Sequence, residues 1–298
     1  MECLSSGKGT LTKAEKTKAV TELRQKYGLK ELLGVAGLSR STYYYVLKSS
    51  QKEDSHAEHK EMIKEVFEQN KGRYGYRRIT MELRKRGICL NHKTVLKLMN
   101  EMGLHCKIRR KRYSSFRGEI NKAAENIIKR DFHAEEPNQK WTTDVTEFAL
   151  LGRKVYLSPI LDMYNSEIIA YSISLSPNYK MITNMLEEAF RKIPDGTNLI
   201  FHSDQGWCYR MKDYQERLKN KGIRQSMSRK GNCLDNSIME NFFGLLKSEM
   251  FYGEEFASIE EFIKELENYI DYYNHRRIKG KLKGLSPVDY RKQSLKVA

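Results

Sequence analysis

From residue 138 onward the chain alternates strand-like and helix-like segments in one order, and that order restricts the fold more than any other feature. The runs "KWTTDVTEFAL", "KVYLSPILDMY" and "EIIAYSISLS" are rich in Thr, Val, Tyr and Phe and are separated by short breaks at "LGR" and "YNS". They predict a three-stranded antiparallel meander. "YKMITNMLEEAFRKI" follows as a helix ended by Pro194, Asp195 and Gly196; then come a strand "NLIFHSD", a helix "KDYQERLKNKG" and a strand "IRQSMS". Two helices, "DNSIMENFFGLLKSEMF" and "SIEEFIKELENYIDYYNHRR", close the unit. The order β-β-β-α-β-α-β-α-α argues an α/β (α+β) class, with a mixed five-stranded sheet flanked by helices. Strand one then lies at the sheet centre, and strand four can pair beside it.

The preceding residues have another texture. Residues 12–48 read as helix, helix, turn, helix: Leu32, Leu33 and Val35 give an apolar helix, Gly37 a turn, and Ser39 or Ser41 an N-cap. That outline is of helix-turn-helix type, its second helix carrying Arg40 and Tyr43 to Tyr45. A second helical unit follows. Met62, Ile63, Val66 and Phe67 recur at helical spacing before the "GRYGY" turn, and Asn91 caps a later helix. Ile79, Leu83, Val95, Leu98 and Met99 are its expected core, with Arg77, Arg78, Arg84, Lys85, Arg86, Lys93 and Lys97 outside. The run "KIRRKRYSSFR" at 107–117 reads as a basic linker able to track phosphates, and "EINKAAENIIKRDF" as a polar helix before Pro137.

Charge separates the two parts. Residues 1–130 hold 30 Lys/Arg against 14 Asp/Glu, whereas residues 131–298 hold 24 of each, so the entire excess of +16 lies in the helical part. Such segregation is expected of a part that touches nucleic acid. Five scattered cysteines without a C-x-x-C pair support neither a disulfide framework nor a zinc ribbon, and His105–Cys106 lacks a second ligand pair. No run approaches ~18 apolar residues, the opening "MECLSSGKGTLTKAEK" lacks a signal-peptide core, and no P-loop is present. A cytoplasmic, nucleoid-associated protein is expected.

Three carboxylates stand out by position. Asp144 lies in the first strand, Asp204 ends the fourth, and Glu240 sits on the first turns of a helix, with 35 residues between it and Asp204. Adjacent strands would project Asp144 and Asp204 together, and the helix can bring in Glu240. Such a cluster repels itself without a cation. Hard carboxylate oxygens suit Mg²⁺ or Mn²⁺, and two ions ~4 Å apart could activate water or a 3′-hydroxyl for an in-line displacement. Asp162, Glu167, Glu147 and Asp213 read as ordinary strand-end or cap acids. Asp235 reads as an N-cap or extra ligand, His202 as structural, and Gln205 as turn packing or a substrate contact. Phe242, Phe243, Leu245 and Leu246 read as core.

The stretches "WTTDVTEF", "HSDQGWCY", "SMSRKGNCLDNSIMENFFGLLKSE" and "YNHRRIKGKLKGLSPVDY" resemble the core of bacterial insertion-sequence DDE transposases of the integrase-like type. The resemblance is to the second-reading-frame product of the third numbered insertion-sequence family. "GRYGYRRI" and "STYYYVLK" extend it over nearly the whole chain, while Trp207 and Cys208 fall where that family varies. It implies a ribonuclease-H-like, retroviral-integrase-like core in which Asp144, Asp204 and Glu240 hold divalent metal (Mg²⁺ or Mn²⁺, two ions per site). It also implies that Lys247, two helical turns after Glu240, contacts terminal DNA; without the resemblance Lys247 reads as an exposed helix lysine. The implied function is DNA transposition: binding of terminal inverted repeats, 3′-end cleavage and strand transfer through a circular intermediate. Partners are then the repeats and target DNA, further copies of the chain in a synaptic complex, and an upstream-frame protein.

The expected division is 1–55 (helix-turn-helix-like), 56–106 (second DNA-binding unit), 107–136 (basic linker and helix) and 137–298 (catalytic core and basic tail). Expected DNA contacts are Lys247, Arg40, Arg77, Arg78, Lys107, Arg109, Arg110, Lys111 and Arg112. Two other classes are open from the residues: a DNA-binding regulator without catalysis, and a related metal nuclease acting on hybrids or junctions.

Overall fold

The computed structural model describes residues 11–50, 56–106, 124–229 and 233–297. The chain forms two compact units, Met1–Met62 and Ile63–Ala298. In the first, α1 (Lys13–Leu23) starts at a capping box of Thr12 and Glu15. Then α2 (Leu29–Ala36) ends at Gly37, whose φ of 61° lies in the left-handed region that favours glycine. α3 (Arg40–Ser50) is entered through Ser39, whose Oγ accepts the Thr42 N–H at 3.1 Å. Val20, Leu33, Ala36, Leu38 and Tyr43 form the core of this unit. Of the residues carried by this helix, Tyr43 is in the core, whereas Arg40, Tyr44 and Tyr45 are exposed.

α4 (Ala57–Gln69) contains the boundary between the units, and α5 (Tyr76–Lys85) and α6 (His92–Glu101) follow it. Ile63, Val66, Ile79, Leu83, Val95, Leu98 and Met99 are buried as expected, and the Asn91 side chain caps α6 by accepting the Lys93 N–H at 2.9 Å. Arg78 departs from the outer face assigned to it. Its guanidinium donates to the Arg73 carbonyl and lies 3.8 Å from Glu249, with its side chain only 27% exposed.

The sheet comprises β1 (Lys140–Thr143), β2 (Thr146–Leu150), β3 (Arg153–Asp162), β4 (Ile168–Ser174), β5 (Ile200–Ser203) and β6 (Arg224–Met227). Along it the order is β2-β3-β1-β5-β6, with β4 also paired to β3. These are the five expected strands, the first interrupted at Asp144 and Val145. The pairs Thr143↔Ile160 and Thr146↔Leu157 share one register, which puts Asp144 opposite Pro159. Proline has no N–H for the ladder, and the Val145 N–H is taken by the Asp144 carboxylate at 2.7 Å. β1 is central, antiparallel to β3 and parallel to β5.

Helices α7 (Tyr179–Phe190), α8 (Lys212–Lys221), α9 (Ser237–Leu246) and α10 (Ile259–His275) match the segments read as helical. Trp141, Ile160 and Phe201 pack with Met185 and Leu186 of α7 and Tyr214 and Leu218 of α8 in one core. Three departures appear. Residues 124–132 run as turns, with Lys129 and Arg130 in left-handed backbone, because Ser226 and Asp235 take up their polar groups. α9 passes at Lys247 into a π-helical turn, Lys247–Phe251. The expected basic tail is a helix, α11 (Pro287–Val297), capped by Ser286 and held by Arg291, which donates to the buried Asp162 at 2.6 Å. Among the described residues no helix is long and apolar enough to cross a membrane.

Candidate active site

Parallel pairing sets the site. Thr142 of β1 lies level with His202 of β5, so Asp144 and Asp204, each two residues further, leave neighbouring strands at one height. Both line a cavity of about 190 Å³ with Pro177, Met181, Trp207 and Tyr209. Burial, and then the charge of Asp204, push the Asp144 carboxyl up to about 7; Glu240 adds a smaller push, and the Val145 N–H works against all three. Asp204 is also raised by burial, opposed by the Gly206 N–H that it accepts at 2.8 Å. A Cβ on Gly206 would meet the Asp204 carboxylate at 2.9 Å, so a side chain there would displace that carboxylate from its place.

Glu240 projects from the first turn of α9 and is exposed. Its charge reaches Asp144, but it is not part of the cavity wall. Among the described residues no three His, Cys, Asp or Glu side chains close on one point tightly enough to hold a metal ion. The structure thus brings Asp144 and Asp204 together and keeps Glu240 on the adjoining helix. Two mutually repelling buried carboxylates, with no cationic side chain among the causes of their shifts, are a donor set that fits a hard divalent cation.

Two anchors fix the start of α9, one to the sheet and one to the segments at 126–130 and 229, and the sequence reading missed both. The buried Asn236, one turn before Glu240, accepts from Thr142 Oγ1 at 2.7 Å and donates to the Thr143 carbonyl at 3.3 Å. Asp235 is not the N-cap of α9, a position that Asn236 takes, and its carboxylate is occupied by basic and amide side chains. Against the cost of burial, hydrogen bonds from Arg229 and Arg130 hold its carboxyl well below the usual range, and Asn126 donates to it as well. The "DN" pair just ahead of Glu240 was the available signal. His202 is structural as read: its ring nitrogens lie 2.9 Å from Ser226 Oγ and 3.0 Å from the Asp235 carbonyl, and burial pushes its pKa down. Gln205 packs the turn by donating to the Ser228 carbonyl.

Lys247 is half-buried rather than exposed, its ammonium 5.3 Å from the Phe148 ring centroid, and burial lowers its pKa. Cys208 is buried, and its thiol is pushed up to about 11, so it is not a ready nucleophile. Trp207 is 59% exposed at the cavity rim. Of the expected DNA contacts, Arg40 and Arg77 are exposed, whereas Lys107, Arg109, Arg110, Lys111 and Arg112 lie outside the described residues.

Comparison with known proteins follows the same division. Two integrase core domain families match residues 134–233 and 240–295, and an HTH-like domain family matches residues 53–112. The chain is 53% identical over 277 residues to the putative transposase InsK for insertion sequence element IS150 of Escherichia coli K12, covering 93% of this chain and 98% of that one. It is 52% identical over 217 residues to an uncharacterised transposase-like protein of Haemophilus influenzae Rd, covering 73% of this chain and all of that one (100%). Among solved structures, the HTLV-2 integrase catalytic core domain in complex with magnesium aligns with 53% of this chain and 98% of that chain at 16% identity, with a TM-score of 0.40.

Proposed function

Because the chain belongs to the insertion-sequence transposases that carry an integrase core, we propose that Asp144, Asp204 and Glu240 are its catalytic acids. In this reading they serve direct phosphoryl transfer at the ends of the element: 3′-end cleavage, then joining of the freed end to a second strand. The observation that carries the proposal is the level placement of Asp144 and Asp204 on parallel strands, with Asp144 pushed up to about 7 by burial and its neighbour.

The three acids would hold divalent Mg²⁺ or Mn²⁺, two ions in our reading, which supply charge neutralisation and polarise the phosphoryl oxygens. The protein's own contribution is positioning and charge. Asp144 and Asp204 are fixed by the Val145 and Gly206 N–H groups, so their oxygens cannot swing away from the cavity. Asn236 ties the helix of Glu240 to the strand of Asp144. Lys247 presents a partly desolvated ammonium to a phosphate on the Glu240 helix, where its attraction is stronger than in bulk water. The exposed Trp207 ring offers a base a stacking face at the rim. Direct transfer needs no protein nucleophile, and a Cys208 thiol pushed up to about 11 does not provide one near neutral pH.

DNA is gripped, in this reading, by the helical regions 1–55 and 56–106 and by the basic linker, through Arg40, Arg77, Lys107, Arg109, Arg110, Lys111 and Arg112. Residues 137–298 carry the chemistry. Joining two ends calls for two or more copies of the chain in one complex. The test is a strand-transfer assay on a duplex bearing the element's end. Wild-type protein should cleave and join with Mg²⁺ or Mn²⁺ and stop in EDTA, and an Asp204→Asn variant that still joined ends would overturn the assignment.

A further inference from the structure

The π-helical turn that continues α9 carries Glu249, a carboxylate 4% exposed, and an excess of positive charge gathers around it. Arg277 donates to it at 2.6 and 2.9 Å, and Tyr269 at 3.0 Å. From the "GRYGY" turn, Arg73 donates to its backbone carbonyl at 3.1 Å, and Arg78 stands 3.8 Å from its carboxylate. Lys279 completes the group. Its ammonium donates to the Tyr273 hydroxyl at 2.6 Å and lies 4.3 Å from that ring's centroid, and among the described residues it has no carboxylate partner. Arg277 and Arg78 thus share the one buried carboxylate, with Arg73 on its backbone carbonyl and Lys279 on the neighbouring Tyr273. Unbalanced buried charge of this kind is costly unless a further anion meets it.

A cavity of about 1030 Å³ opens beside this group. Arg78, Lys279, Lys281 and His133 stand on its wall, with Glu135 as the acid there, and Tyr164 and Tyr290 add aromatic faces. Its other wall is a face of α9 that includes Ser237 and Asn241 but not Glu240. This cavity is distinct from the one holding Asp144 and Asp204, and no residue lines both.

We infer that this cavity is a second nucleic-acid site, in which Arg78, Lys279 and Lys281 take phosphodiester oxygens of the DNA backbone, independently of sequence. The chemistry is that of single-sign cations beside aromatic faces, which suits a phosphate–base strand. The inference rests on the reading that the chain handles DNA, not on the identity of its catalytic acids. Backbone bound here would lie against the helix that carries Glu240, so the same contact that holds DNA also touches the element positioning the third acid.

The test uses the full chain in EDTA, so no catalysis enters and failure of the acid assignment leaves the result untouched. Anisotropy of a labelled duplex of about 40 base pairs is followed from about 50 to 200 mM KCl, for an end sequence and for an unrelated one. With Lys281→Gln the slope of log K against log salt should become shallower by about 0.9 for both duplexes, and by about twice that with Lys279→Gln added. Lys281 is exposed, so the single variant keeps its fold even if the double variant does not. A photo-cross-linking residue at position 281 should also yield a DNA adduct. An unchanged slope with no adduct overturns the inference. So does a slope that is unchanged while inorganic phosphate raises the melting temperature of wild type but not of Lys281→Gln, which would make the site one for free phosphate.

Discussion

Replacing Asn236 separates holding the fold from placing the acid. Its carboxamide joins α9 to β1 inside the protein: Thr142 is 0% and Asn236 5% exposed, so water cannot replace the bonds it makes. Asn236→Leu leaves the Thr142 hydroxyl without its acceptor at 2.7 Å and takes one donor from the Thr143 carbonyl. An orphaned buried hydroxyl costs about 1–3 kcal/mol and the longer bond about 1 more, so a loss of roughly 2–4 kcal/mol is expected. At about 2–4 °C per kcal/mol for a chain this large, the melting temperature should fall by about 5–15 °C. Adding Thr142→Val removes the orphan and should restore about half of the loss, since deleting both partners of a bond is far milder than deleting one. Strand transfer should behave otherwise. In both variants the helix of Glu240 has lost its tie to the strand of Asp144, and a misplacement of about 1 Å costs on the order of 10²-fold in rate. Thermal unfolding and single-turnover joining, measured on the same preparations, separate the two effects. If the double variant recovered rate in step with stability, Asn236 would be only a packing residue, and our account of how Glu240 is placed would be wrong.

Asp144→Asn and Asp204→Asn should each reduce cleavage and joining by at least on the order of 10³-fold while leaving end binding intact or tighter, checked by gel shift beside the joining assay. For pH, a carboxyl raised from its ordinary 3.8 to about 7 contributes stability that is complete below about pH 4 and lost as pH rises through about 7, at most roughly 4 kcal/mol. Metal-free protein should therefore melt lower at pH 8 than at pH 6, Mg²⁺ or Mn²⁺ should reverse the difference, and Asp204→Asn should shrink it; a metal-free melting temperature that does not fall between pH 6 and 8 would contradict the pairing of the acids. Glu249→Gln strands the buried Arg277 and should cost about 3–5 kcal/mol in urea unfolding, whereas Glu249→Leu with Arg277→Met should cost markedly less.

What could be read in the sequence followed local periodicity; what could not depended on distant partners. The central place of β1 and the adjacency of the strands of Asp144 and Asp204 came from strand order alone. The break at Asp144 was hidden because its cause, Pro159, sits on another strand. Residues 124–132 have helix-compatible composition, yet Ser226 and Asp235, about a hundred positions away, offer their polar groups better partners than a helix ladder does. Arg78 looked like one more surface arginine on a basic helix until Glu249 was found facing it. α11 was legible and overlooked: Ser286, Pro287 and Asp289 form an ordinary helix-start signature.

These long-range contacts converge on one element. The stretch from Asn236 to Phe251 is tied at its start to the strand of Asp144 and at its end, through Glu249, to Arg277 and the "GRYGY" turn. Glu240 lies between the two ties, on the first turn of α9. Across the π-helical turn at 247–251, Lys247 lies over Phe148 while Glu249 faces inward to Arg277. The position of the third acid is thus set jointly by the sheet that holds the first two and by the basic helical region that precedes it.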